Sequence, residues 1–164
     1  MSKMDDFIGL SAVLTGFAES KLAPQIDPID IKSEYLPLWQ EKVDEQSNGL
    51  SSKILATYSD LKSVQPPLSD QKIGEAMLSE RNGADFTMAC RQLIYLWYMG
   101  AWPSVPKDNS RTDFTIVSSK AYSAGLVWQV MQAHPMGDSN ERYGYWAEKP
   151  SATLSDFTGH SSEQ

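Results

Sequence analysis

The stretch from Ala84 to Met99 limits the choice of fold more than any other part of the chain. Phe86, Ala89, Cys90, Leu93 and Trp97 recur three to four residues apart and form one stripe of a helix. Ile94, Tyr95, Leu96, Tyr98 and Met99 fill the rest of its last turns. A helix apolar nearly all round must be covered on every side, by its own fold or by a partner. Gly100 ends it, after an Asn82-Gly83 turn that precedes it. The most economical cover for such a helix is other helices.

The preceding sequence supplies them. Phe7, Leu10, Leu14 and Phe17 make one helical face between Asp6, read as an N-cap, and Gly16, read as a stop. Asp27-Pro28 opens a second helix that carries Ile31, Tyr35, Trp39 and Val43, and Pro37 inside it predicts a kink or a split. A third begins after Gly49 with Ser51 as cap and carries Ile54, Leu55, Tyr58 and Leu61. Pro66-Pro67 forces a break, and Ser69 or Asp70 caps a short fourth helix to about Ser79.

Beyond Gly100 the pattern weakens. Trp102 to Asp113 reads as a polar loop, and Ser118 to Ala124 as a short helix ended by Gly125. Leu126-Val127-Trp128-Gln129-Val130 favours an extended, strand-like segment through its valines and tryptophan. His134 to Pro150 is irregular. The expectation is an all-α fold: a single helical domain of five to six helices over residues 5–150, an extended aromatic C-terminal arm, and a loose polar tail over 151–164.

A length of 164 residues fits one domain, and 41% apolar content is enough for a core. The 14 Lys and Arg against 21 Asp and Glu give a net charge of −7, which argues against nucleic acid or anionic lipid as the main partner. No run approaches the roughly 20 apolar residues of a membrane span. The first residues contain neither a secretory signal pattern nor a twin arginine, so the chain as written reads as cytoplasmic. One cysteine and two histidines make a metal or iron–sulfur centre within this chain improbable.

Catalytic patterns are missing as well. There is no Walker loop, no dinucleotide glycine fingerprint and no Gly-x-Ser-x-Gly elbow. Cys90 on the apolar stripe reads as a small hydrophobe, and His134 as a polar loop residue. The carboxylates Asp27, Asp30, Glu41, Asp44 and Glu45 read as a solvated face. Aromatic residues are the surplus: 5 Trp and 7 Tyr, crowded into the second half. Each could be core. An irregular arm that cannot bury itself, however, needs a surface to lie on, and Trp and Tyr dominate protein–protein hot spots. The candidate interface is Trp97, Tyr98, Trp102, Trp128, His134, Tyr143, Tyr145 and Trp146.

Three stretches carry a family resemblance. Phe7-Ile8-Gly9-Leu10-Ser11-Ala12-Val13-Leu14-Thr15-Gly16 is similar to a Phe-x-x-Leu-Ser-x-x-x-Thr-Gly opening. Leu96-Trp97-Tyr98-Met99-Gly100 is similar to an Ala-Trp-Tyr-x-Gly helix end, and Gly144-Tyr145-Trp146-Ala147-Glu148-Lys149-Pro150 to a closing aromatic-Trp-x-x-x-Pro. In this order they resemble the small, non-catalytic subunit of bacterial FAD-dependent sugar and alcohol dehydrogenases, such as the glucose, sorbitol, fructose and gluconate enzymes. The resemblance implies a helical accessory subunit with no active site and no cofactor of its own. It would bind, stabilise and help mature or export a large FAD-containing subunit of the glucose–methanol–choline class. Relatives typically carry a twin-arginine leader, which would place the pair in the periplasm. Some also have a cysteine before the final Trp motif that bridges to the large subunit. Residues 126–145 contain no cysteine here, so no covalent link is expected there. Two other readings use the same residues: a stand-alone helical adaptor for an unrelated protein, and a small enzyme built on His134 or Cys90.

Overall fold

Helix α1, Lys3–Thr15, starts one turn earlier than an Asp6 cap implies. Ser2 Oγ accepts the Asp5 N–H at 3.1 Å while Asp5 Oδ2 accepts the Ser2 N–H at 2.8 Å, a reciprocal cap that satisfies two otherwise orphaned donors. The computed structural model describes residues 2–104, 113–135, 147–148 and 152–158. A single turn, α2 (Glu19–Leu22), leads towards α3 (Ile31–Gln46). Asp27-Pro28 forms the turn before α3 instead of its first residues, because Asp27 Oδ1 accepts the Asp30 N–H at 2.7 Å and Lys32 joins both carboxylates. Pro37 does not split α3, which runs through it as one helix. Its ring faces solvent, while Tyr35 and Leu36 before it and Trp39 and Val43 after it are buried on one continuous face. That burial on both sides outweighs the one missing backbone bond.

Helix α4 spans Leu50–Lys62 with Gly49, not Ser51, at its N-cap. Ser51 instead lies in the first turn, where Asp44 of α3 accepts both its N–H and its hydroxyl at 2.9 Å. The end of one helix thus caps the start of the next. Ser69 caps α5 (Asp70–Met77) by accepting the Lys72 N–H, and a 3-10 turn over Glu80–Asn82 follows. Helix α6 covers Ala84–Met99, as the apolar stripe predicts, and Gly100 ends it at φ 62°.

Three segments differ from expectation after α6. The ends of the presumed loop pair as an antiparallel hairpin of β1 (Ala101–Ser104) and β2 (Asp113–Ile116). The strand-like segment is a helix: α7 (Ser119–Ala124) is followed directly by α8 (Leu126–Val130). The helical turn lets Leu126 sink into the core at 3% exposure and lets Trp128 Nε1 reach back to the Tyr122 carbonyl at 2.8 Å. Tertiary packing has overridden the β-preference of two valines and a tryptophan. Residues 152–158 correct the expectation of a loose tail. Thr158 bridges to Phe17, Ala18 donates its N–H to the Phe157 carbonyl at 3.1 Å, and the Phe157 ring lies 6.4 Å from that of Phe17. One aromatic residue in a polar stretch is enough to dock it.

The described residues are mostly helical, with the single two-stranded hairpin. The helices of eight residues or more are α1, α3, α4, α5 and α6. Phe7, Leu10, Tyr35, Trp39, Val43, Ile54, Ile73, Met77, Cys90 and Leu93 meet at their centre, essentially without solvent exposure.

Candidate partner-binding surface

The first two family-like stretches meet where α1 crosses α6. Trp97 Nε1 donates to Ser11 Oγ at 2.8 Å, and that hydroxyl donates to the Phe7 carbonyl at 2.7 Å. One turn on, Thr15 Oγ1 donates to the Ser11 carbonyl at 2.7 Å, and Tyr98 Oη donates to the Thr15 carbonyl at 2.9 Å. The Phe7 ring sits 5.7 Å from Trp39 and 6.4 Å from Trp97, and Tyr35 meets Trp97 edge-on at 5.0 Å. Burial pushes the Tyr98 and Tyr35 hydroxyls above their ordinary pKa, so both stay neutral donors.

Each residue type in these stretches has a packing reason. The Ser11 hydroxyl accepts the buried Trp97 Nε1 donor, and the Thr15 hydroxyl donates to the Ser11 carbonyl and accepts the Phe17 N–H at the helix end. Gly9 lets the Tyr58 hydroxyl approach to within 2.1 Å of where a Cβ would stand. Gly100 combines a left-handed backbone with a Cβ position only 2.1 Å from the Ala121 carbonyl oxygen, so no other residue fits there without moving α7. Gly9, Ser11, Thr15, Trp97, Tyr98 and Gly100 build the crossing.

The candidate interface residues divide accordingly. Trp97 is 2% exposed and belongs to the core, a correction to its reading as a contact residue. Tyr98 and Trp102 are half-buried against the core. Trp128 is half-buried, edge-on to Tyr122 at 5.3 Å. His134 is half-buried, with Nδ1 2.9 Å from the Pro135 carbonyl oxygen. Tyr143, Tyr145 and Trp146 lie outside the described residues, as does most of the third family-like stretch.

What the surface does offer, sequence reading missed. Phe114 is 52% exposed, Ile116 49%, Met131 63%, and Met99 and Val130 about 40% each. All five follow the end of the central helix or sit at it, on α6, β2, α8 and the turn after α8. The alternation Asp113-Phe114-Thr115-Ile116 was the available signal for a strand with one apolar face. Ile26 and Ile29 are a second exposed pair, on the turn before α3.

No family model, curated protein or solved structure matches this chain. The chemistry of the remaining candidates is therefore read from their surroundings. Burial pushes the Cys90 thiol up to about 12, which leaves almost no thiolate at neutral pH. Among the described residues, no three His, Cys, Asp or Glu side chains are grouped to hold a metal ion, and no helix is long and apolar enough to cross a membrane.

Proposed function

We propose that this chain is a non-catalytic small subunit that binds and stabilises a larger FAD-dependent dehydrogenase of the glucose–methanol–choline class, one that oxidises sugar or alcohol hydroxyls. The flavin and the reaction belong to the partner. The observation that carries the reading is the pairing of Trp97 with Ser11 and of Tyr98 with Thr15. The Trp97–Ser11 bond joins side chains from two of the three family-like stretches, while the Tyr98 bond ends on the Thr15 backbone carbonyl, which any residue there would supply. The apolar side chains left exposed beyond that unit are consistent with a subunit completed by another protein.

The test is expression of such a flavoprotein from the same organism with and without this chain. A several-fold gain in soluble, FAD-loaded enzyme and a stoichiometric complex are expected. Equal yield and equal flavin content in both cases would overturn the proposal.

A further inference from the structure

Asn-Gly occurs twice in the chain, at 48–49 and at 82–83. Asparagine before glycine is prone to spontaneous deamidation, because glycine has no side chain to hinder ring closure. The glycine N attacks the asparagine Cγ, the Cγ–Nδ2 bond breaks, and Nδ2 leaves as ammonia with the proton of the glycine N–H. Water then opens the resulting succinimide at either carbonyl, giving aspartate or isoaspartate. The reaction needs an asparagine side chain free to turn and a glycine N–H free to lose its proton.

The fold treats the two pairs differently. Asn82 Nδ2 donates to the Ala76 carbonyl at 2.8 Å and to the Met77 carbonyl at 3.2 Å, and so caps the C-terminal end of α5. The Gly83 N–H donates to the Glu80 carbonyl at 3.1 Å. Both reacting groups of this pair are held. Asn48 stands exposed in the turn between α3 and α4. Among the described residues, neither its side chain nor the Gly49 N–H has a hydrogen-bond partner. Space does not separate the pairs: both glycines are exposed, and a Cβ on either would meet nothing within 4 Å. Hydrogen bonding does.

We propose that Asn48 is a deamidation site of the folded protein, that Asn82 is held back from the same reaction by its cap on α5, and that the isoaspartate form at 48 loosens the start of α4. Isoaspartate routes the main chain through the former side chain and adds one carbon to it. Ser47, Asn48 and Gly49 are all that join α3 to α4. Two contacts reach across that short link: the Leu50 N–H donates to the Ser47 carbonyl at 3.0 Å, and Asp44 accepts the Ser51 N–H and hydroxyl at 2.9 Å. A longer link pulls Ser51 away from Asp44. The reaction needs water and no partner, so it stands apart from the accessory-subunit reading.

The test ages the whole chain at mildly alkaline pH, once folded and once in urea. Digestion with pepsin in acid, where the reaction is slow, is followed by mass spectrometry of the peptides that carry each asparagine. In the folded chain Asn48 should convert at least tenfold faster than Asn82, since reaction at 82 waits for its hydrogen bonds to open. In urea the two rates should converge. The isoaspartate form, separated by ion exchange, should exchange its Ser51 N–H at least tenfold faster than the unmodified chain. Equal rates at the two sites in the folded chain, the same preference for Asn48 in urea, or an unchanged Ser51 amide each overturns the proposal.

Discussion

The Phe86–Leu93 stripe of α6 is buried in the core, while its last turn is shared between two regions with opposite habits. Where α1 crosses it, the buried polar groups are paired: Trp97 with Ser11, Tyr98 with Thr15, Thr15 with Ser11. A few residues on, no other described strand pairs with β2, and two large apolar side chains stand half in water. Both regions are rich in aromatic and β-branched residues. What separates them is closure. The crossing is completed by its own chain, and the hairpin edge is not completed by any described residue. Residue type therefore does not reveal whether an aromatic residue serves core or contact; the fate of the neighbouring polar groups does.

The largest expected effect tests closure directly. Cys90 lies on the closed side, and its thiol stands near 12 against an ordinary 9.0. A displacement of that size lowers the thiolate fraction about a thousandfold. Alkylation by iodoacetamide at pH 8 should be slower in the folded chain by at least that factor, and should proceed normally in urea. Comparable rates would mean that the helices around α6 open readily.

Next comes Gly100→Ala, which forces a side chain into a left-handed backbone and against the Ala121 carbonyl. A loss of about 3 kcal/mol or more is expected in urea unfolding. Ser11→Ala strands the Trp97 Nε1 donor in the core and should cost about 1–3 kcal/mol. Combined with Trp97→Phe, it should show a coupling of at least about 0.5 kcal/mol. Additive losses would mean that the crossing is held by packing alone. On the open side the same kind of change should matter little. Phe114→Ser and Ile116→Ser should each shift stability by no more than about 0.5 kcal/mol, whereas Leu93→Ala, fully buried, should cost about 2–5 kcal/mol. A hairpin variant as damaging as the core one would erase the contrast.

Sequence reading reached the closed region well and the open one badly, for a physical reason. Helix α6 was legible to the residue because sixteen positions of apolar periodicity end in a glycine. Caps were less so. Ser51 is held by Asp44 from the preceding helix, and no local pattern reports a partner seven residues away. The hairpin was missed because its strands are four residues each and one contains proline. Helix α8 reads as a strand because Leu126-Val127-Trp128-Gln129-Val130 has strand-forming side chains, and only the burial of Leu126 in the core and the Trp128 bond to the Tyr122 carbonyl select the helical turn. Of the candidate interface, the surplus of aromatics was visible but its direction was not: nothing in the letters says that Trp97 points at Ser11.

The smallest effect concerns the turn before α3, where Ile26 stands 88% exposed on a segment clamped by Lys32. Burial alone would push the Asp27 carboxyl up, but hydrogen bonds from Lys32 and from the Asp30 N–H outweigh it and hold the pKa below the ordinary 3.8. The Asp30 carboxyl is also lowered, by hydrogen bonds from Lys32 and Ser33. Hydrogen bonds to Asp27 and Asp30 raise Lys32 above its ordinary 10.5. A carboxyl lowered in the folded state adds stability that is fully present above its unfolded pKa of about 3.9 and disappears as pH falls through the lower, folded value. A raised lysine adds stability that is present below its unfolded value and disappears as pH rises through the higher, folded one. The clamp should therefore contribute a flat, modest amount across neutral pH. Lys32→Met should lower the urea midpoint slightly at pH 7, and the gap from the unmodified chain should close as pH falls below the ordinary carboxyl value of 3.8 and through the lower, folded one. A gap that never closes, even where both carboxyls are protonated, would show that Lys32 acts there through the packing of its stem and not through its charge.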